Sequence, residues 1–211
     1  MRAPRRVMPL AWAGLALMGA CGGFNNGPLE AGTVRGRILG AEADVAVVSV
    51  LGQPELRARV SSDGRFELGG VPATSVELFL VASRTRAART KVVAQGARIT
   101  ELGDIDAPLG AFITVRLRDS AGNVPPRGEV EVEGTALDEL EMDASSGEVR
   151  VGPLPEGCYT LEVKADGLEE VEEEVCVRQG EELEREFVLR EDDLGGDDDG
   201  GGDDDGGDEG G

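Results

Sequence analysis

The sequence predicts an all-β chain: two small antiparallel β-sandwich domains in tandem, after a signal peptide and before a disordered acidic tail. Three observations carry that expectation. Apolar residues alternate with polar ones over short runs, as at Phe66/Leu68, Val76/Leu78/Leu80, Val130/Val132, Val149/Val151 and Tyr159/Leu161/Val163. Asp-Gly, Ser-Gly and Gly-Pro steps break the runs, the pattern of half-buried strands joined by tight turns. The chain also repeats itself: "GRFELGGVP" (64–72) matches "GEVRVGPLP" (147–155), 83 residues on, and the strand-like runs "SVELFLVA" (75–82) and "CYTLEVKA" (158–165) follow. Finally, charge is segmented: residues 1–29 carry +3, residues 30–110 net 0, residues 111–190 −13 and residues 191–211 −11, together the −21 of the chain.

In chain order, residues 1–20 place Arg2, Arg5 and Arg6 ahead of an apolar run that ends at Gly19-Ala20. That is the layout of a signal peptide, and the run is well short of the ~20 residues a membrane-spanning helix needs. Cys21 stands directly after the cleavage position. Gly19-Ala20-Cys21 resembles the lipobox of bacterial lipoproteins, with Met18 in place of the more usual leucine. The resemblance implies diacylation of the Cys21 sulfur, cleavage just before it and a lipid anchor; Gly22, where an aspartate would favour retention at the inner membrane, implies the outer membrane. The alternative is an ordinary signal peptide with a coincidental cysteine. Residues 21–32, "CGGFNNGPLEAG", then form a lipidated tether, whose roughly 10 flexible residues reach about 17 Å as a coil.

Residues 33–108 and 109–190 are the two expected β-sandwich domains. The order strand, "DG-F-L-GVP", strand resembles the carboxypeptidase regulatory-like family. That resemblance implies a prealbumin-like β-sandwich acting as a non-catalytic accessory. The same strand pattern is shared by stalk domains of Gram-positive adhesins, but their lysine–asparagine cross-link finds little lysine here.

Cys158 and Cys176 lie symmetrically about Gly167. A hairpin turning at 166–168 pairs residues whose numbers sum to 334, which sets the two thiols opposite each other, and an exported chain meets oxidising conditions that favour a disulfide. One stretch disagrees. "LEEVEEEV" (168–175) has Leu168, Val171 and Val175 at helical spacing, and in the strand register Glu173 points inward, which an edge or a bulge would accommodate. The run "RTRAARTK" sets Arg84, Arg86, Arg89 and Lys91 where the first repeat's hairpin turn is expected. It is either an anion-binding patch or, more commonly for such runs, a solvated hairpin.

The tail, residues 191–211, has the single apolar residue Leu194 and cannot bury a core. It lacks the spacing of an EF-hand loop or a calcium β-roll, so weak divalent cation binding by a flexible acidic segment is the most that its aspartates predict. The chain has no histidine, which removes the commonest general base and metal ligand, and its acidity opposes nucleic-acid binding. No catalytic residue, metal site or cofactor is predicted. The function expected is that of a lipid-anchored cell-envelope protein, a structural or protein-binding module with an envelope protein as partner. Carbohydrate binding is the alternative, although the mature chain would retain no tryptophan and one tyrosine, Tyr159. A hydrolase using a carboxylate pair ranks behind both.

Overall fold

The computed structural model describes residues 30–191, so the leader, Cys21, most of the tether and the tail beyond Glu191 lie outside the described residues. The first unit has seven strands: β1 (Gly32–Ile38), β2 (Val47–Val50), β3 (Gln53–Arg59), β4 (Arg65–Val71), β5 (Ser75–Val81), β6 (Ala87–Val93) and β7 (Ile99–Ile105). The second has β8 (Ala111–Asp119), β9 (Gly128–Val132), β10 (Leu140–Glu141), β11 (Glu148–Leu154), β12 (Gly157–Ala165), β13 (Val171–Val177) and β14 (Glu182–Leu189). Each unit is a sandwich of one three-stranded and one four-stranded sheet, ordered β4-β1-β7 over β3-β2-β5-β6 and β11-β8-β14 over β10-β9-β12-β13. The two topologies are identical strand for strand.

The repeat is visible in the strand bounds. β4 and β11 begin at Arg65 and Glu148, and β7 and β14 at Ile99 and Glu182, each pair 83 residues apart. The leading glycine of the repeated motif has a structural cause: Gly64 and Gly147 adopt φ of 83° and 74°, and a Cβ at Gly64 would stand 2.3 Å from the carbonyl oxygen of Ile38. Only glycine fits such a turn. The sandwiches are not purely antiparallel, because β1 pairs with β7 and β8 with β14 in parallel. The first and last strands of each unit lie side by side, and a pair that no hairpin connects is free to run parallel.

Alternation puts Val34, Val48, Val50, Phe66, Leu68, Leu78 and Leu80 into the first core, and Ile113, Val115, Leu117, Val130, Val132, Leu161 and Val163 into the second. The expected β12–β13 register holds throughout, from Gly157 opposite Val177 to Val163 opposite Val171. "LEEVEEEV" is therefore strand from Val171 onward, not helix. Glu173, opposite Leu161, sits on the core side of the edge strand β13, yet it is half exposed and its carboxylate lies 3.7 Å from Arg185 of β14. The pair closes the rim of the sandwich, and a charge on the inner side of an edge strand also discourages pairing with another chain.

Candidate functional site: a shared interdomain core and an acidic sheet face

Strand β5 is buried on both faces. Leu78 and Leu80 point into the first core, while Phe79 and Val81, on the opposite side of the same strand, belong to the core of the second unit. The end of the second sandwich, with its 133–138 and 154–157 loops, thus rests on the outer face of the first unit's four-stranded sheet. Phe79 is fully buried and meets Tyr159 edge-on, with ring centroids 6.3 Å apart and planes at 84°. The Tyr159 hydroxyl donates to the Pro155 carbonyl at 2.8 Å. Arg89 lies 5.7 Å from the centre of the Tyr159 ring, held there by two hydrogen bonds of 3.0 Å each to Glu77.

Around this centre the backbones are stitched directly. Gly52 N–H donates to Gly134 O at 2.7 Å and Gly110 N–H to Thr85 O at 2.9 Å, while Arg57 pairs with Asp138 at 3.2 Å. A Cβ on Gly134, whose φ is 65°, would come within 3.0 Å of the Gly52 Cα, so the two loops approach as closely as glycine permits. The sequence carried a signal for this junction that period-2 alternation passes over: Leu78-Phe79-Leu80-Val81-Ala82 is apolar at every position. A continuous apolar run of strand length marks a strand covered on both faces.

Burial pushes the Tyr159 hydroxyl up to about 12, with the Arg89 charge acting in the opposite direction. The raised value means that the stabilisation from a neutral, buried Tyr159 is complete below about pH 10, where an unfolded tyrosine ionises, and is lost as pH rises through about 12. Tyr159 is the chain's one tyrosine, so absorbance at 295 nm reports on this junction alone. The native protein should titrate near 12 and the urea-unfolded protein near 10; coincident curves would place the ring in solvent.

The basic run does not gather into one patch. Residues 82–86 form the turn, and Arg89 and Lys91 lie on β6 instead. Arg84 is clamped by Glu42 at 2.9 Å and Asp44 at 2.5 Å. Arg86 donates to the Ala107 carbonyl, Arg89 serves the junction, and Lys91 is exposed without an ion pair among the described residues. Cys158 and Cys176 face each other across β12 and β13 and form a disulfide on the solvent side of the sheet.

That solvent side is strongly acidic. Glu131, Glu162 and Glu172 stand directly opposite one another on β9, β12 and β13. Carboxylate oxygens of Glu133, Glu162 and Glu172 lie within 4.8 Å of one another. Lys164 pairs with Glu162 and, at 3.5 Å, with Glu170. These carboxylates meet on an open, solvent-facing sheet rather than in a cleft, whereas a catalytic acid–base pair works in an enclosed pocket. Among the described residues no aromatic side chain is exposed: Phe66, Phe79, Tyr159 and Phe187 are buried, and Phe112 is half-buried beneath Arg150, whose guanidinium carbon is 4.0 Å from the ring centre. Phe79 and Tyr159, the rings a sugar would stack on, are spent on the junction.

No family model and no curated protein matches the chain. Among solved structures, the Bacillus anthracis TIE protein is 18% identical over 77% of this chain, which spans 34% of that one, with a TM-score of 0.34. GBS52, the minor pilin of Streptococcus agalactiae, is 13% identical over 76% of this chain and 96% of its own, with a TM-score of 0.30. The shaft pilin SpaA of Lactobacillus rhamnosus GG is 8% identical over 76% of this chain and 98% of its own, with a TM-score of 0.29. Likeness at these values assigns neither family nor activity.

Proposed function

We propose that this protein is a lipid-anchored component of the cell envelope, tied to the outer membrane through Cys21, and that it works as a non-catalytic structural or protein-binding module. The observation that carries this reading is the shared core: Phe79 and Val81 of the first unit complete the hydrophobic core of the second. Two units joined in that way hold a fixed relative orientation, as a spacer must, and the sheet left open carries glutamates rather than a cleft. No helix among the described residues is long and apolar enough to cross a membrane; the attachment in this reading is lipid on Cys21. The partner is an envelope protein met by the acidic half of the chain, with the tail contributing charge and weak divalent cation binding.

The test is twofold. Cys21→Ser should abolish incorporation of labelled fatty acid and release the protein from membranes; continued labelling would sink the anchor. Affinity capture of the mature protein from envelope membranes, alongside a version lacking residues 191–211, should recover a protein whose binding weakens without the tail. Recovery of nothing above background would leave the structural role standing and end the binding one.

A further inference from the structure

Among the described residues nothing packs over one end of the first unit, the end at which the described chain starts with Glu30. This end is formed by Glu30–Gly32, the 72–75 loop and the 94–98 turn. Ala97 N–H donates to Ala31 O at 3.1 Å, Ala94 N–H to Thr74 O at 3.0 Å and Thr33 N–H to Arg98 O at 2.9 Å, so the three segments make one surface. Val93 and Ile99, flanking the turn, are 67% and 50% exposed. Residues 68–76 and 92–97 contain no charged side chain, in a chain that is 30% charged. Arg98 and Glu30 are the charges on this end, with Lys91 just behind Val93 on β6.

The repeat shows what such an end does when it has a partner. The matching end of the second unit, around Pro155–Gly157 and Gln179, packs on the first unit, with Pro155, Glu156 and Gln179 lining one groove together with Ala87 and Arg89. The first unit has no preceding unit among the described residues to rest on. With Cys21 as the lipidated residue of the proposal above, the link between lipid and unit is Cys21 to Leu29, a length that spans about 17 Å for a coil and at most about 30 Å fully extended.

We infer that this end of the first unit, centred on Val93 and Ile99 with Arg98 and Lys91 at its margin, lies on the lipid surface to which Cys21 ties the chain. The inference rests on the anchor proposed above. Two apolar side chains of this size enter the boundary between headgroups and acyl chains, while Arg98 and Lys91 reach the phosphates with their charged tips. Alone such a contact is weak; a tether of this length makes it an intramolecular event at high effective concentration. The consequence is orientation: the second unit and its acidic face are held away from the anionic bilayer.

Residues 21–211 contain no tryptophan, which gives a direct test. Ile99→Trp and Val93→Trp place a single fluorophore on this end, and Val188→Trp places one at an exposed site of the second unit. The chain from Cys21 onward, its disulfide intact, is coupled at Cys21 to a maleimide-bearing phospholipid. It is then carried on vesicles of phosphatidylethanolamine and phosphatidylglycerol with or without brominated acyl chains. Because the anchor is supplied chemically, the outcome is independent of acylation in cells, which mass spectrometry of envelope-extracted protein reads separately. The expected result is a blue shift and loss of emission in brominated vesicles for tryptophan at 99 and 93, and neither at 188. No loss at 99 and 93, or equal loss at all three positions, overturns the inference.

Discussion

Phe79→Ala will lower the stability of the protein by about 3–5 kcal/mol, the range for removing a fully buried phenylalanine ring. The loss will fall chiefly on the unit to which residue 79 does not belong. Phe79 sits on β5 of the first sandwich, but its ring is packed among the core residues of the second and against the face of the junction formed by Tyr159. Truncation opens the end of the second sandwich and leaves Arg89 and Tyr159 with a void beside them. Collapse of that void would need the loops at 52 and 134 to move, and they are already at glycine–glycine contact distance. Two readouts separate this from an ordinary core mutation. Denaturant unfolding should show the second unit melting ahead of the first, and Tyr159 should ionise well below its native value as water reaches the ring. A loss no larger than that of a surface substitution, about 0.5 kcal/mol, would show that the second core closes without the first unit.

The features legible in the sequence were those fixed by local periodicity. The 83-residue spacing returned as two copies of one strand order, and the symmetry of Cys158 and Cys176 about Gly167 returned as the β12–β13 register. Alternation also found the inner faces, because a strand with one side in water has to advertise which side. It failed where a strand has no wet side: Val76, Leu78 and Leu80 were legible as one face, while Phe79 and Val81, on the other face, fall outside that alternation. The arginine run was legible as a basic turn, not as a set of partners. Sequence adjacency placed Arg84, Arg86, Arg89 and Lys91 together, but Arg84 turns to Glu42 and Asp44 ahead of β2, Arg86 to the Ala107 carbonyl ahead of β8 and Arg89 to Glu77 on β5, which leaves Lys91 by itself, and no local pattern announces those partners. Glu173 shows the limit of periodicity at an edge, where its parity assigns it to the core and the rim supplies Arg185 instead.

The second large effect concerns the strand least suited to its place. β13 carries three consecutive glutamates, is hydrogen-bonded on one side only, and sets Glu172 directly opposite Glu162, itself opposite Glu131. Like charges directly across a pair of strands work against pairing by roughly 0.2–1 kcal/mol each. Val171, Val175 and Val177 packing inward and the Glu173–Arg185 pair offset part of that. The disulfide holds the rest, since closing a loop of sequence separation 18 restricts the unfolded chain by about 3 kcal/mol in the chain-entropy account. Reduction, or replacement of both cysteines by serine, should therefore lower stability by about 3 kcal/mol. Amide exchange should accelerate first within residues 171–177, while β5 and the junction stay protected. Added salt should restore part of the loss, because it screens the exposed glutamates and does nothing for the missing covalent link. A thiol-titrated, fully reduced protein with an unchanged melting temperature would mean that side-chain packing alone keeps β13 in the sheet.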